Sequence, residues 1–222
     1  MEVNADFTER AAIHGARILW SPSPMAGVER RMLDRIGGEV ARATTIVRYA
    51  LGSHFSPHTH DGGEEFLVLE GVFTDEHGDF PAGSYVRNPP TSRHNPGSAP
   101  GCTILVKLRQ FDPDDRKQLH VRTEEPHSDP ATERLGVEIK LLFQDVRETV
   151  RLERWAPATK IRLGQADGME LFVLHSRFTE AAEAFDPYSW LRLPDGAAVN
   201  AEAGPSGCTL WIKSGHLSRA RL

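Results

Sequence analysis

The feature that most constrains this chain is the stretch Gly52 to Gly71, GSHFSPHTHDGGEEFLVLEG. It holds His58, His60 and Glu64, with Glu65 next to it, and His94 follows in PPTSRHNPG. Side chains alternate along a strand, so His58 and His60 project to one face. Gly62 and Gly63 supply the positive φ that a tight reversal needs. The chain then returns through Glu64 into the apolar run Phe66-Leu67-Val68-Leu69. Such a reversal carries a carboxylate back beside two imidazoles. With His94 it makes three nitrogens and one oxygen, a set that suits Zn, Fe(II), Mn, Ni or Cu. A lone histidine would be an ordinary core or surface residue; four candidate ligands at this spacing predict a site for one divalent metal ion.

Glu64 is the expected fourth ligand by spacing, with Glu65 as the alternative. His54, four residues before His58, is a candidate to brace the ligands. Tyr85 and Arg87 alternate on one strand and are candidates for the cavity wall, although an arginine is more often a surface residue. His77 reads as a turn residue, and His120, His127, His175 and His216 read as surface or interface residues.

The rest of the chain is β-like. Val40 to Tyr49 is rich in β-branched residues, and Cys102 to Leu108 is a clear strand. Residues 1–20 read as a lead-in strand, and Ser21 to Glu39 as a turn with a short irregular element. With 19 glycines and 15 prolines, short strands separated by turns predict a barrel or sandwich. Asp112 to Arg134 is polar and proline-bearing and reads as a solvated linker.

Beyond it the pattern recurs. Glu65-Phe66-Leu67-Val68-Leu69 is echoed by Glu170-Leu171-Phe172-Val173-Leu174, and Gly101-Cys102-Thr103 by Gly207-Cys208-Thr209. Shared landmarks in the same order predict a duplicated domain: 1–111 as the metal-binding unit, 112–134 as the linker and 135–222 as a second unit. In the repeat, His58, His60 and Glu64 become Leu163, Gln165 and Met169, and His94 falls on Val199 or Asn200. Leucine and methionine are poor ligands for a hard or borderline metal, so the second unit is expected to be a structural partner without a site.

Net charge is −5, and there is no nucleotide or nucleic-acid motif, so no nucleic-acid partner is expected. No apolar run is long enough to span a bilayer, and MEVNADFTER does not read as a secretory signal. Two cysteines do not make a disulfide scaffold, and a cytoplasmic location is expected.

The stretch from Gly52 to Gly71 resembles the first motif of the cupin superfamily, G(X)5HXH(X)3-4E(X)6G, with every fixed position filled. Pro81, Gly83 and His94 match part of the second motif. The resemblance implies a double-stranded antiparallel β-barrel, and with the internal repeat a bicupin. VERRMLDRIGGEVARATTIVRYA, HTHDGGEEFLVLEGVFTDEHGDFPAGSYVRNPP and GCTILVKLRQF look closer still to the cupin-like domain of ChrR-type anti-sigma factors.

That family implies zinc, where the ligand set alone also allows Fe, Mn or Ni, and a regulatory role in sensing oxidative stress. A small-molecule ligand or oxidant is the implied partner, and a homodimer is an expectation by analogy. In that family a separate N-terminal zinc domain with a HxxxCxxC signature grips the sigma factor. This sequence carries no such signature, which argues against a sigma factor as its partner. The alternative function is a metal-dependent small-molecule dioxygenase using Fe(II).

Overall fold

The reversal at Asp61-Gly62-Gly63 sets the frame of the first half. Gly63 has φ of +76°, and a Cβ there would sit 2.5 Å from the ring of Phe111. Gly62 needs its missing side chain for a different reason: a Cβ would meet the Arg109 backbone at 2.8 Å. The tight turn thus fixes where strand Glu64–Asp75 begins, and with it the direction in which Glu64 points.

In the computed structural model, which describes residues 1–38, 40–124, 134–164 and 167–217, the chain is almost entirely β. The one helical turn among the described residues is a 3-10 turn at Gly15–Arg17. The chain forms two units, Met1–Ala5 with Leu19–Glu124, and Asp6–Ile18 with Glu125–Leu222.

In the first unit the main path of the sheet runs Glu2–Val3, Val28–Gly37, Ala41–Tyr49, Cys102–Leu108, Glu64–Asp75, Ser84–Asn88, Leu119–Arg122. In the second it runs Val137–Gln144, Thr149–Trp155, Ala198–Ser214, Met169–Glu180, Ser189–Leu193, Ala11–His14. All of these neighbours are antiparallel.

Two corresponding pairs of strands keep one register. Asn88 stands opposite Glu64 in the first unit, and Leu193 stands opposite Met169 in the second. Alternation sorts the side chains of the first unit. Phe66, Val68, Val86, Ile104 and Val106 join Phe73, Phe80 and Phe55 in one buried cluster, while Glu65, Tyr85, Arg87 and Lys107 lie on the other face. Each buried phenylalanine contributes about 1.5–3 kcal/mol relative to exposure.

Three parts of the chain differ from the sequence reading. The segment expected to be irregular is the ten-residue strand Val28–Gly37. The expected linker 112–134 contains strand Leu119–Arg122, which extends the first unit's sheet beside Ser84–Asn88. Within the lead-in segment, Ala11–His14 pairs with Ser189–Leu193 and belongs to the second unit.

Candidate metal centre

His58 and His94 face each other in the short antiparallel pair His58–Thr59 with Arg93–His94. His60 follows one residue after that strand, held by its N–H to the Ser92 carbonyl at 2.9 Å. The three imidazoles converge: ring centroids lie 4.7–4.9 Å apart, and one ring nitrogen from each lies within 4.8 Å of the others. Glu64 brings its Oε2 to 3.5 Å from His60 Nε2 and 3.6 Å from His94 Nε2. Donors about 2.0–2.1 Å from one tetrahedral ion sit roughly 3.3 Å apart, close to these separations.

The hydrogen bonds leave the right nitrogens free. His58 Nδ1 lies 3.2 Å from the Ser56 carbonyl, so Nδ1–H donates there and Nε2 keeps its lone pair. His94 Nδ1 lies 3.3 Å from Asp75 Oδ2. The Nε2 atoms of His60 and His94 are buried and have no hydrogen-bond partner. Two orphaned buried nitrogens facing a carboxylate are costly unless something occupies the space between them. The group His58, His60, His94 could therefore hold a metal ion.

The charges agree. Burial pushes the His60 pKa down, with the neighbouring His94 and His58 adding to that and Glu64 opposing it. Burial also acts to lower His94, but the Asp75 bond and the Glu64 charge outweigh it and its pKa is raised. Burial acts to raise Asp75, yet hydrogen bonds from His94 and from the His77 N–H hold it below the ordinary carboxylate range.

Sequence reasoning missed the bracing residues. Asp75 ends the strand that Glu64 begins, and its two oxygens take the His94 ring and the His77 N–H. Glu76 accepts the Asn95 N–H at 2.7 Å, pinning the residue after His94. Asn88 Nδ2 donates to Glu64 Oε2 at 3.4 Å. The available signal was alternation from inward-facing Phe73 to Asp75.

Other candidates fall elsewhere. Glu65 is buried on the opposite face, accepting from the Tyr85 hydroxyl at 2.7 Å and from Arg87 at 3.0 Å. Arg87 is neither a cavity residue nor a surface one: it is buried between Glu65 and Asp115, over the Phe111 ring. His54 is exposed on a separate two-residue strand beside Gly97. His77, His120 and His175 are exposed, and His127 lies outside the described residues. His216 is not at the surface; it is buried with Nε2 2.8 Å from Glu170. Cys102 and Cys208 are buried in their strands, and burial pushes their thiols up to about 11 and about 12.

The second unit repeats the geometry without the donors. Leu163 pairs with Val199 as His58 pairs with His94, so Val199 and not Asn200 takes the place of His94. Leu163, Met169 and Val199 are buried in one apolar cluster with Phe178 and Phe185, whose rings stack at 4.7 Å. Gln165 lies outside the described residues.

Residues 8–112 match the ChrR cupin-like domain. No curated protein matches the chain in sequence. Among solved structures, a candidate dioxygenase from Nostoc punctiforme PCC 73102 superposes with a TM-score of 0.74 at 16% identity, over 98% of this chain and 83% of that one. The bacterial pirin YhhW from Escherichia coli, in complex with nickel(II), gives 0.65 at 13% identity, over 93% and 99%. A cupin 2 conserved barrel domain protein from Leptotrichia buccalis gives 0.63 at 9% identity, over 96% and 99%. At these identities the likeness speaks for the fold.

Proposed function

We propose that this cupin-fold chain, which resembles the ChrR cupin-like domain over residues 8–112, is a metal-dependent sensor rather than a catalyst. His58, His60, His94 and Glu64 hold one divalent ion, zinc in this reading, and a small ligand or oxidant changes its coordination. The observation that carries the reading is the pair of buried Nε2 atoms, on His60 and His94, with no partner but the space beside Glu64. When bound, the ion supplies Lewis acidity and holds the two histidine segments to the start of strand Glu64–Asp75. The chain's own residues set the ion's surroundings: Asp75 and the Ser56 carbonyl fix the imidazole tautomers, and exposed His58 stands on the side open to solvent.

A second reading is a small-molecule dioxygenase using Fe(II). It is supported by the likeness to the Nostoc protein along 98% of this chain. The two readings separate in one experiment. Metal-loaded protein is treated with hydrogen peroxide while free metal is followed with a chelating dye, and oxygen uptake is recorded with a panel of diketones. The sensor reading expects peroxide to alter the ion's coordination by binding it as a ligand, with no net oxidation, and no sustained oxygen uptake. Sustained turnover with any member of the panel overturns it.

A further inference from the structure

The adjacent residues Glu64 and Glu65 point to opposite faces of the sheet, yet both lead to one segment. Glu65 reaches Asp115 through Arg87, whose guanidinium lies 3.0 Å from Glu65 and 2.8 Å from Asp115. Glu64 reaches Gln118 through Asn88. Gln118 Nε2 donates to Asn88 Oδ1 at 3.4 Å, and Asn88 Nδ2 donates to Glu64 Oε2 at 3.4 Å. Arg87 and Asn88 are consecutive in strand Ser84–Asn88, which the segment flanks through Leu119–Arg122.

We infer that Asn88 and Gln118 are positioning residues for the metal centre, and that occupancy of the centre is coupled to the seating of the 115–122 segment. The inference rests on the metal reading above. Glu64 Oε2 is the atom that approaches both orphaned imidazole nitrogens, and Asn88 donates to that same atom. An amide has one donor end and one acceptor end. Gln118 donates to the oxygen of Asn88 and so fixes its nitrogen toward Glu64. Without Gln118 the amide is free to turn its oxygen against the carboxylate, which repels it. Asn88 and Glu64 are both buried, so water does not readily substitute for the contact between them, while Gln118 closes the relay from the exposed side. Linkage makes the coupling reciprocal: an ion that fixes Glu64 also favours the seated segment.

The test uses the full chain loaded with Co(II), read by its visible spectrum and by competition with a chelator of known affinity. Gln118→Glu keeps size but cannot donate to Asn88. Asn88→Asp keeps shape but cannot donate to Glu64. Arg122→Gln is the control on the same strand, since Arg122 pairs with exposed Glu124. Loss of outer hydrogen bonds to metal ligands typically costs 10–100-fold in affinity. Asn88→Asp is expected to weaken Co(II) binding at least tenfold and to change the spectrum as Glu64→Gln does. Gln118→Glu should shift both in the same direction by a smaller factor, and Asn88→Gln should recover part of the loss. Hydrogen exchange at 119–122 should slow on metal binding in wild type and respond less in Gln118→Glu.

Wild-type affinity and spectrum in both relay variants overturn the positioning role while leaving the metal centre intact. Unchanged exchange at 119–122 on loading wild type overturns the coupling. Wild-type protein that takes up no Co(II) overturns this inference together with the metal reading.

Discussion

Asp75 Oδ2 lies 3.3 Å from His94 Nδ1, so a carboxylate at the end of strand Glu64–Asp75 orients an imidazole that arrives from a different strand. This places Glu64 and Asp75, the two ends of one twelve-residue strand, on the same group of histidines. A carboxylate on the far nitrogen of a ligating imidazole fixes its tautomer and raises its basicity. Asp75→Asn keeps the shape and removes the charge. We expect metal affinity to fall about 10–100-fold with little loss of folding. Competition with a chelator measures the first, and thermal unfolding of metal-free protein the second.

The second unit should resist a carboxylate at the place that Glu64 occupies in the first. Met169 is 1% exposed and sits in the apolar cluster with Leu163 and Val199. Met169→Glu places a carboxylate in that apolar cluster, at a cost of several kcal/mol. A large drop in the midpoint of chemical unfolding, with metal content unchanged from wild type, is the expected result.

Arg87 is 1% exposed and bridges two buried carboxylates, Glu65 and Asp115. Arg87→Ala leaves both without that counter-charge and should destabilise the protein by about 3–5 kcal/mol, because removing one partner of a buried pair costs more than the pair contributes. Triple replacement of Arg87, Glu65 and Asp115 by apolar residues should recover much of the loss. Urea unfolding of the single and triple variants checks both statements.

Glu153 is fully buried and accepts from Arg134 at 2.7 Å, Arg151 at 2.7 Å and the Trp155 indole at 2.8 Å. Burial acts to raise its pKa, but these donors and charges outweigh it, so the folded-state pKa lies below the unfolded one. A lowered folded pKa means the contribution is present above the unfolded value of about 4.3 and is lost as pH falls through the folded value. Glu153→Gln should therefore cost stability at pH 7 and progressively less as the pH falls below 4. Denaturation curves across that range measure the difference.

Much of the centre was legible because its donors are chemically distinctive. HxHxxxE fixes three positions by spacing, and the paired glycines fix the turn that brings Glu64 back. That Glu64 faces the histidines and Glu65 does not was legible too, since Glu170 persists in the half where the ligand positions have become Leu163 and Met169. Asp75 and Asn88 were not, because a carboxylate at a hairpin end and an amide at a strand end are each common, and only the fold shows what they touch. Leu119-His120-Val121-Arg122 alternates apolar and polar as a strand does, but the charged residues around it made the segment look like a linker. The placement of Ala11–His14 beside Ser189–Leu193 depends on a pairing across most of the chain, which no local pattern reports.

The metal centre proposed above takes a single ion, held in the first unit. Elemental analysis combined with X-ray absorption, on protein purified without added metal, tests it most directly. One ion per chain is expected, with nitrogen and oxygen neighbours that include imidazoles, and that ion should be lost in His58→Ala and His60→Ala. Protein without metal, a second ion per chain, or full occupancy in either variant would contradict it.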